Sequence, residues 1–232
     1  MRIGVFLFVL FTTFQGIACQ LKAGVRDFPP YSFKNSANQW QGLDIQVLTQ
    51  LVLSTNCQIS FVELPFGEAL KLLRSGNIDL LMHLSNTEDR REDIRFIGPI
   101  RDQQISLITR ANVTSEINDI EDISGLPYTF AHRQGIFIGK DFATKRQQVA
   151  SFAKKFVEVE QVANLIRLVK KKRVDGFFED RHYNQYLLEN DLDGVLMVEQ
   201  PLQFSIGAVY IGISNKSVSA YQQNALKEAL SK

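Results

Sequence analysis

An arginine in the turn Thr87-Glu88-Asp89-Arg90 and an aspartate just past a buried apolar run, Asp180, are the side chains of this sequence best suited to hold a small charged molecule. The guanidinium of Arg90 is a planar fork that can meet a carboxylate through two parallel hydrogen bonds. Taken alone, Thr87–Asp93 reads more simply as a capped, charged, solvated helical turn. Asp180 follows the apolar run Val174–Phe178, where an acid can receive an ammonium group; it also reads as the N-cap of a helix over His182–Glu189. Phe28 and Phe66 can supply an aromatic wall at little entropic cost, or simply be two of 17 phenylalanines packed in a core. Arg133 can reach an acidic group on a ligand or extend into solvent from its loop. His83, His132 and His182 stand near the ends of predicted strands, and three imidazoles can bind zinc. Three separate histidines are more often incidental, so no metal and no cofactor are expected. The sequence has no His-Glu-x-x-His, no paired-cysteine spacing and no nucleophile elbow, so no catalytic residue is assigned.

The elements that must position these residues follow from hydrophobic spacing. Leu21–Val25 reads as a strand stopped by Pro29-Pro30, since proline gives no N–H to a ladder. Asn35–Gln41 is a polar loop. Leu43–Leu53 has helical spacing, Ile59–Leu64 alternates as a strand, Phe66–Arg74 is a helix closed by Ser75-Gly76, and Ile78–Leu84 is a buried strand. That is strand–helix–strand–helix–strand, the pattern of a parallel α/β sheet. The pattern then restarts, with a short helix at Ile120–Gly125 and strands at Tyr128–Ala131 and Phe156–Val159. It continues through an amphipathic helix at Val162–Lys171, a strand at Val174–Phe178 and a helix at His182–Glu189. Gln103–Thr109 and Ser205–Ile213 are long strand-like runs bracketing the second unit, placed to cross between two lobes. Tyr221–Leu230 is a closing helix.

The ends and the composition bound the cellular setting. Arg2, the apolar run Ile3–Phe14 and the small residues Gly16 and Ala18 have the layout of a secretory signal over residues 1–18. The apolar run is too short to span about 30 Å of hydrocarbon. Of 232 residues, 26 are Lys or Arg and 25 are Asp or Glu, a balance that argues against a nucleic-acid partner and against a polybasic membrane surface. The two cysteines, Cys19 and Cys57, leave three readings open. Cys19 follows Ala18 as a lipid-bearing first residue would, although Gly16 stands where such sites usually carry Leu. Alternatively the two form a disulfide in an oxidising compartment, since each lies just ahead of a predicted strand. The third reading is two free thiols.

Several short motifs then fall in a familiar order: Phe28-Pro29-Pro30-Tyr31, Gly42-Leu43-Asp44, Phe66 with Leu73-x-Ser75-Gly76-x-Ile78-Asp79, Ser85-Asn86-Thr87-Glu88-Asp89-Arg90, Phe96-x-x-Pro99, and Arg173-Val174-Asp175 followed by Asp180. From about Leu21 to its end the chain resembles the family 3 extracellular solute-binding proteins, the polar-amino-acid binders of ABC importers. The resemblance implies an α/β, two-lobed type II periplasmic binding protein fold with a ligand cleft between lobes joined by two crossing strands. Residues 19–107 plus 205–232 would form lobe 1, and 108–204 lobe 2. It implies Arg90 for the ligand α-carboxylate, Asp180 for its ammonium, Phe28 and Phe66 around its side chain, and Ser85 at the carboxylate. Departures are visible too. His83 stands where the family usually has Gly or Ser, and Ala131–Phe137 lacks the family's Thr after the first strand of the second lobe, which leaves Arg133 to reach an acidic ligand group. The expected function is capture of a zwitterionic or anionic solute, an amino acid or small organic acid, by an exported monomer serving an ABC permease, with no catalysis. The alternatives are a cyclohexadienyl or arogenate dehydratase-like enzyme, or a stand-alone periplasmic sensor partner.

Overall fold

The computed structural model describes residues 19–190 and 196–231; the signal expected over residues 1–18 lies outside them. The chain begins with β1 (Gln20–Val25), β2 (Phe33–Lys34), β3 (Trp40–Gln41), α1 (Leu43–Leu53), β4 (Gln58–Glu63), α2 (Phe66–Ser75) and β5 (Leu80–Ser85). β6 (Ile94–Arg110), α3 (Ile120–Gly125), β7 (Phe130–Arg133), α4 (Lys140–Gln148), α5 (Ala150–Ala153) and β8 (Phe156–Val159) follow. The chain closes with α6 (Val162–Lys170), β9 (Gly176–Asp180), α7 (Arg181–Glu189), β10 (Met197–Ser214) and α8 (Ala220–Leu230).

Eight strands form one ladder in the order β4-β1-β5-β10-β6-β9-β7-β8, with β2 and β3 as a separate hairpin. β1 pairs in parallel with β4 and β5 at one end, and β7 pairs in parallel with β8 and β9 at the other. The middle is made by β6 and β10, antiparallel from Met197↔Arg110 to Ser214↔Ile94. Strands of 17 and 18 residues reach roughly 55–60 Å at about 3.3 Å per residue. They therefore serve both halves of the molecule: β10 pairs with β5 near its end, and β6 pairs with β9 near its own. This is a two-lobed α/β fold joined by two crossing strands.

Each half has its own core. On one side Leu48, Leu51 and Val52 of α1 pack with Leu80, Met82, Ile211 and Ile213. A parallel strand buried on both faces reads as an apolar run, and β5 is buried along its whole length, its run Leu80–Met82 and Leu84 interrupted by His83 and ended by Ser85. The other half is aromatic: Phe130, Phe142, Phe152, Phe156 and Phe178 form a contiguous cluster, with ring pairs such as Phe152–Phe156 at 4.8 Å. Gly42, at φ 120°, lets the chain pass close under Tyr31; a Cβ there would lie 2.4 Å from the Tyr31 carbonyl oxygen. The backbone N–H of Asp44 donates to that same oxygen, which fixes Tyr31 and Asp44 side by side at the edge of the cleft.

Three features differ from the sequence reading. The polar loop Asn35–Gln41 is the tip of the β2–β3 hairpin, its turn closed by the Asn35 carboxamide oxygen accepting from the N–H groups of Ala37 and Gln39. Helices α4 and α5 were not expected, because α4 buries only Phe142 and shows no apolar stripe. Strands β7 and β9 begin two residues later than hydrophobicity indicates. Asp175 is occupied before β9 starts, accepting from the Thr129 N–H and pairing with Arg110. The shift brings Arg133 and Asp180 into the ladder as the last residues of β7 and β9.

The β1–β4 register sets Gln20 opposite Gln58, so Cys19 and Cys57 stand side by side one step earlier. They form a disulfide, with their Cα atoms 4.5 Å apart. The Cys19 sulfur that a lipid thioether would use is taken, and the free-thiol reading falls with it. The bond spans a sequence separation of 38. Cross-linking a loop of that size restrains the unfolded chain by up to about 4 kcal/mol. Thiol titration of the unfolded, unreduced protein is expected to find no free thiol, and Cys57→Ser to lower the unfolding free energy by about 2–4 kcal/mol in urea.

Candidate ligand-binding site

The carboxyl ends of β1, β5, β7 and β9 converge where the two halves meet, the usual place for a ligand in an open α/β sheet. β1 delivers Arg26 and Phe28 just beyond its end, β5 delivers His83 and Ser85, β7 delivers Arg133 and β9 delivers Glu179 and Asp180. A cavity of about 810 Å³ opens beside them, walled by Arg26, Lys34 and Pro65 from one half and by Gln161, Val162 and Tyr183 from the other.

Asp180 is 1% exposed and fully engaged. Its Oδ1 accepts from the Tyr31 hydroxyl at 3.0 Å and from the N–H groups of His182 and Tyr183, so it is the N-cap of α7. Its Oδ2 accepts from Gln103 at 2.9 Å and lies 3.3 Å from His83 Nε2. Of the two sequence readings of Asp180, the N-cap of α7 is present in the structure, and the same carboxylate also bonds Tyr31 of the other half. Burial alone would raise its pKa, but the hydrogen bond and charge of His83, with donors from Gln103 and the Tyr183 N–H, hold it well below the usual carboxylate range. Burial and the charge of Asp180 push the Tyr31 phenol up, which keeps it a donor.

His83 sits at φ 65°, a left-handed conformation unusual for a residue with a side chain. It places the ring between two carboxylates, with Nδ1 3.6 Å from Asp44 Oδ2 and Nε2 facing Asp180. Arg101 pairs with Asp44 at 3.0 Å and its second Nη reaches His83 Nδ1. Asp44 is likewise held low: burial would raise it, and His83 and Arg101 outweigh that. The imidazole thus stands where a ligand ammonium facing Asp180 would be expected.

Arg90 is buried, not solvated. Its short 3₁₀ turn, Glu88–Arg90, is held by Thr87 Oγ1 donating to Asp89 and by the Arg74–Asp89 ion pair. The guanidinium donates to Ser85 O at 3.0 Å and, across the cleft, to Gly135 O at 2.9 Å. Burial lowers its pKa. Its neighbour Arg91 is exposed, and its side chain bonds Asn86.

Phe28 and Phe66 share the same two guanidinium neighbours. Arg26 is 4.3 Å from the Phe28 centroid and 4.9 Å from that of Phe66; Arg133 is 5.1 Å from each. Phe28 also stacks on Tyr183 of the other half at 4.7 Å. Arg133 forms a two-pronged ion pair with Glu179, Nη2 to Oε1 at 2.8 Å and Nε to Oε2. It is a buried β7 residue, not a solvated loop arginine. Arg26 escaped the sequence reading, although an arginine immediately after a buried strand was a visible signal. Burial, then the charge of Arg133, push its guanidinium down to about 9. Arg90, Asp180, His83 and Ser85 pack in the seam between the halves and are not part of the cavity wall, whereas Arg26 is.

The three histidines do not converge: the His182 side chain is 61% exposed, and His132 lies against Phe142 and Phe156. Among the described residues no cluster of His, Cys, Asp or Glu could hold a metal.

Two half-sheets joined by paired crossing strands, with buried charges where the strand ends meet, define a two-lobed solute-binding fold. Residues 21–229 match the model of the bacterial extracellular solute-binding proteins, family 3, and the chain belongs to that family. The histidine-binding periplasmic protein of Escherichia coli K12 is 27% identical over 158 residues, 66% of this chain and 57% of that protein. The chain spans about 57–64% of the length of the curated relatives it matches. An ancestral arginine-binding protein bound to arginine superposes with a TM-score of 0.75 at 20% identity, covering 91% of each chain. An ancestral amino-acid-binding protein described as a precursor of cyclohexadienyl dehydratase gives 0.70 at 20% identity, over 91% of this chain and 88% of that one.

The depressed pKa of Asp180 has a signed consequence. A carboxylate lowered by folding contributes stability above its unfolded pKa of about 4 and loses that contribution as pH falls below it. Urea unfolding measured from pH 7 down to pH 2.5 should therefore show a steep acid loss that Asp180→Asn flattens. At pH 7 the variant is expected to be less stable by about 1–3 kcal/mol, since buried donors lose a charged acceptor.

Proposed function

We propose that this chain is an exported binding protein that captures a small zwitterionic or anionic solute of amino-acid type and presents it to an ABC permease for uptake. Lobe 1 comprises residues 19–107 and 205–232, and lobe 2 residues 108–204. The protein acts as a monomer in the periplasm or outside the cell, without a lipid on Cys19. One observation carries this reading: a buried guanidinium in one half, Arg90, and a buried carboxylate in the other, Asp180, each bond across the same seam. A zwitterion needs both charges replaced when it leaves water. Its carboxylate would take the Arg90 fork from the carbonyls of Ser85 and Gly135. Its ammonium would take the Asp180 carboxylate from His83, so that binding and lobe contact are coupled. The relatives named for histidine and arginine binding support an amino-acid-like ligand class.

The dehydratase reading rests on the neighbour described as a dehydratase precursor. Prephenate or arogenate incubated with the purified protein is expected to remain unchanged; its loss would install the enzyme reading instead.

Removing one partner of a desolvated charge pair leaves the other uncompensated, at about 3–5 kcal/mol, or roughly a hundred- to several-thousand-fold in Kd. Calorimetric titration against a panel of amino acids should show saturable binding that Arg90→Ala and Asp180→Ala each reduce by that much. Arg91→Ala should titrate like the unmodified protein. Equal behaviour of Arg90→Ala and Arg91→Ala would remove Arg90 from the site.

A further inference from the structure

We propose that Arg26 and Arg133 form a seat for a second acidic group on the solute, so that the ligand is an acidic amino acid or related dicarboxylate. This rests on the solute-binding reading above. Arg133 spends Nε and Nη2 on Glu179, while its Nη1 is buried with no hydrogen-bond partner. Arg26 Nε and Nη2 are also buried without a partner, and the Arg26 side chain has no ion pair among the described residues. Glu179 therefore engages only one of the two guanidinium groups, and three buried nitrogens lack an acceptor. Buried cationic donors without acceptors are costly, and a carboxylate between the two side chains would satisfy them.

The seat is reached from the Arg26 side: Arg26 forms part of the cavity wall, while Arg133 lies behind it, buried and outside that wall. Opposite Arg26 stand Gln161–Ala163 at the N-terminus of α6, a nine-residue helix with no side-chain cap and no acid in its first turn. The positive end of that helix adds to the attraction for an anion. The same arrangement disfavours a cationic ligand side chain. The rings of Phe28 and Phe66, against which such a group would stack, are already held by Arg26 and Arg133. A third cation would add repulsion. Across the seam, four guanidinium groups, those of Arg26, Arg90, Arg101 and Arg133, face three carboxylates, those of Asp44, Glu179 and Asp180. Asp27, Glu63 and Glu160 also line the cavity, but all three are exposed at its rim, and Lys34 pairs with Glu63 at 2.6 Å.

The test compares L-glutamate with L-glutamine, which differ in charge but hardly in shape, and both with L-arginine and L-histidine, by calorimetric titration of the purified protein at pH 7. Glutamate is expected to bind at least about tenfold more tightly than glutamine, the worth of one charged hydrogen bond. Arg26→Gln should bring the two within about threefold of each other. Glutamine binding as tightly as glutamate, or arginine or histidine binding more tightly, overturns the acidic seat and leaves the solute-binding reading standing. A glutamate preference that survives Arg26→Gln overturns the role of Arg26. Absence of binding by all four amino acids overturns the amino-acid reading and the seat with it. The comparison within the unmodified protein needs no variant to fold.

Discussion

The negative charge of Asp180, almost wholly removed from solvent at the seam between two half-sheets, is the constraint around which the rest of the site is organised. An unpaired carboxylate at that depth would cost several kcal/mol or take up a proton. It stays ionised because donors arrive from both halves and from a crossing strand: Tyr31 and His83 from one side, Gln103 of β6 from between, and the first N–H groups of α7 from the other. Each donor depends on an element placed elsewhere. Tyr31 is held by the close passage at Gly42, His83 by a left-handed backbone inside β5, and Gln103 by the ladder of β6 with β10.

Charge balance then propagates outward. His83 draws in Asp44, and Asp44 draws in Arg101, which lies over the Tyr31 ring at 4.0 Å. The neighbouring layer repeats the arrangement with Glu179, whose Oε1 accepts from both Arg133 and the Asp180 N–H. Two carboxylates at consecutive positions of one strand are thus buried with hydrogen-bond donors on each. Networks of this kind favour one arrangement of the halves over others, since half-satisfied versions leave buried charge exposed to no partner.

Much of this was legible in the sequence. Helix α1 and strand β8 lie where their apolar spacing places them, and the two crossing runs were recognisable as long strands, because burial on one or both faces writes a period into the chain. What hydrophobicity could not convey was polar structure. The last residues of β7 and β9 are charged, and they remain in the ladder only because Arg133, Glu179 and Asp180 find partners that spacing does not reveal. Helix α4 has a single buried residue and so left no pattern. Arg90 and Arg91 are indistinguishable in type, and only the third dimension puts one in the cleft and the other in solvent. Arg26 was overlooked because a single basic residue in a loop is usually solvated; its burial follows from Phe28 and Phe66 closing over it.

The pairing of Gln104 with Ser205 places the entry and exit of the second half next to each other on adjacent strands. Topologically that half is a loop, however large, hung from two neighbouring points on the first. Loop-closure entropy grows only slowly with length, so material between those two points can be lengthened, shortened or exchanged with little penalty to the half that carries the disulfide. The second half can therefore diversify in sequence and size, and with it the wall facing the first half, while the first half continues to fold around an unchanged frame.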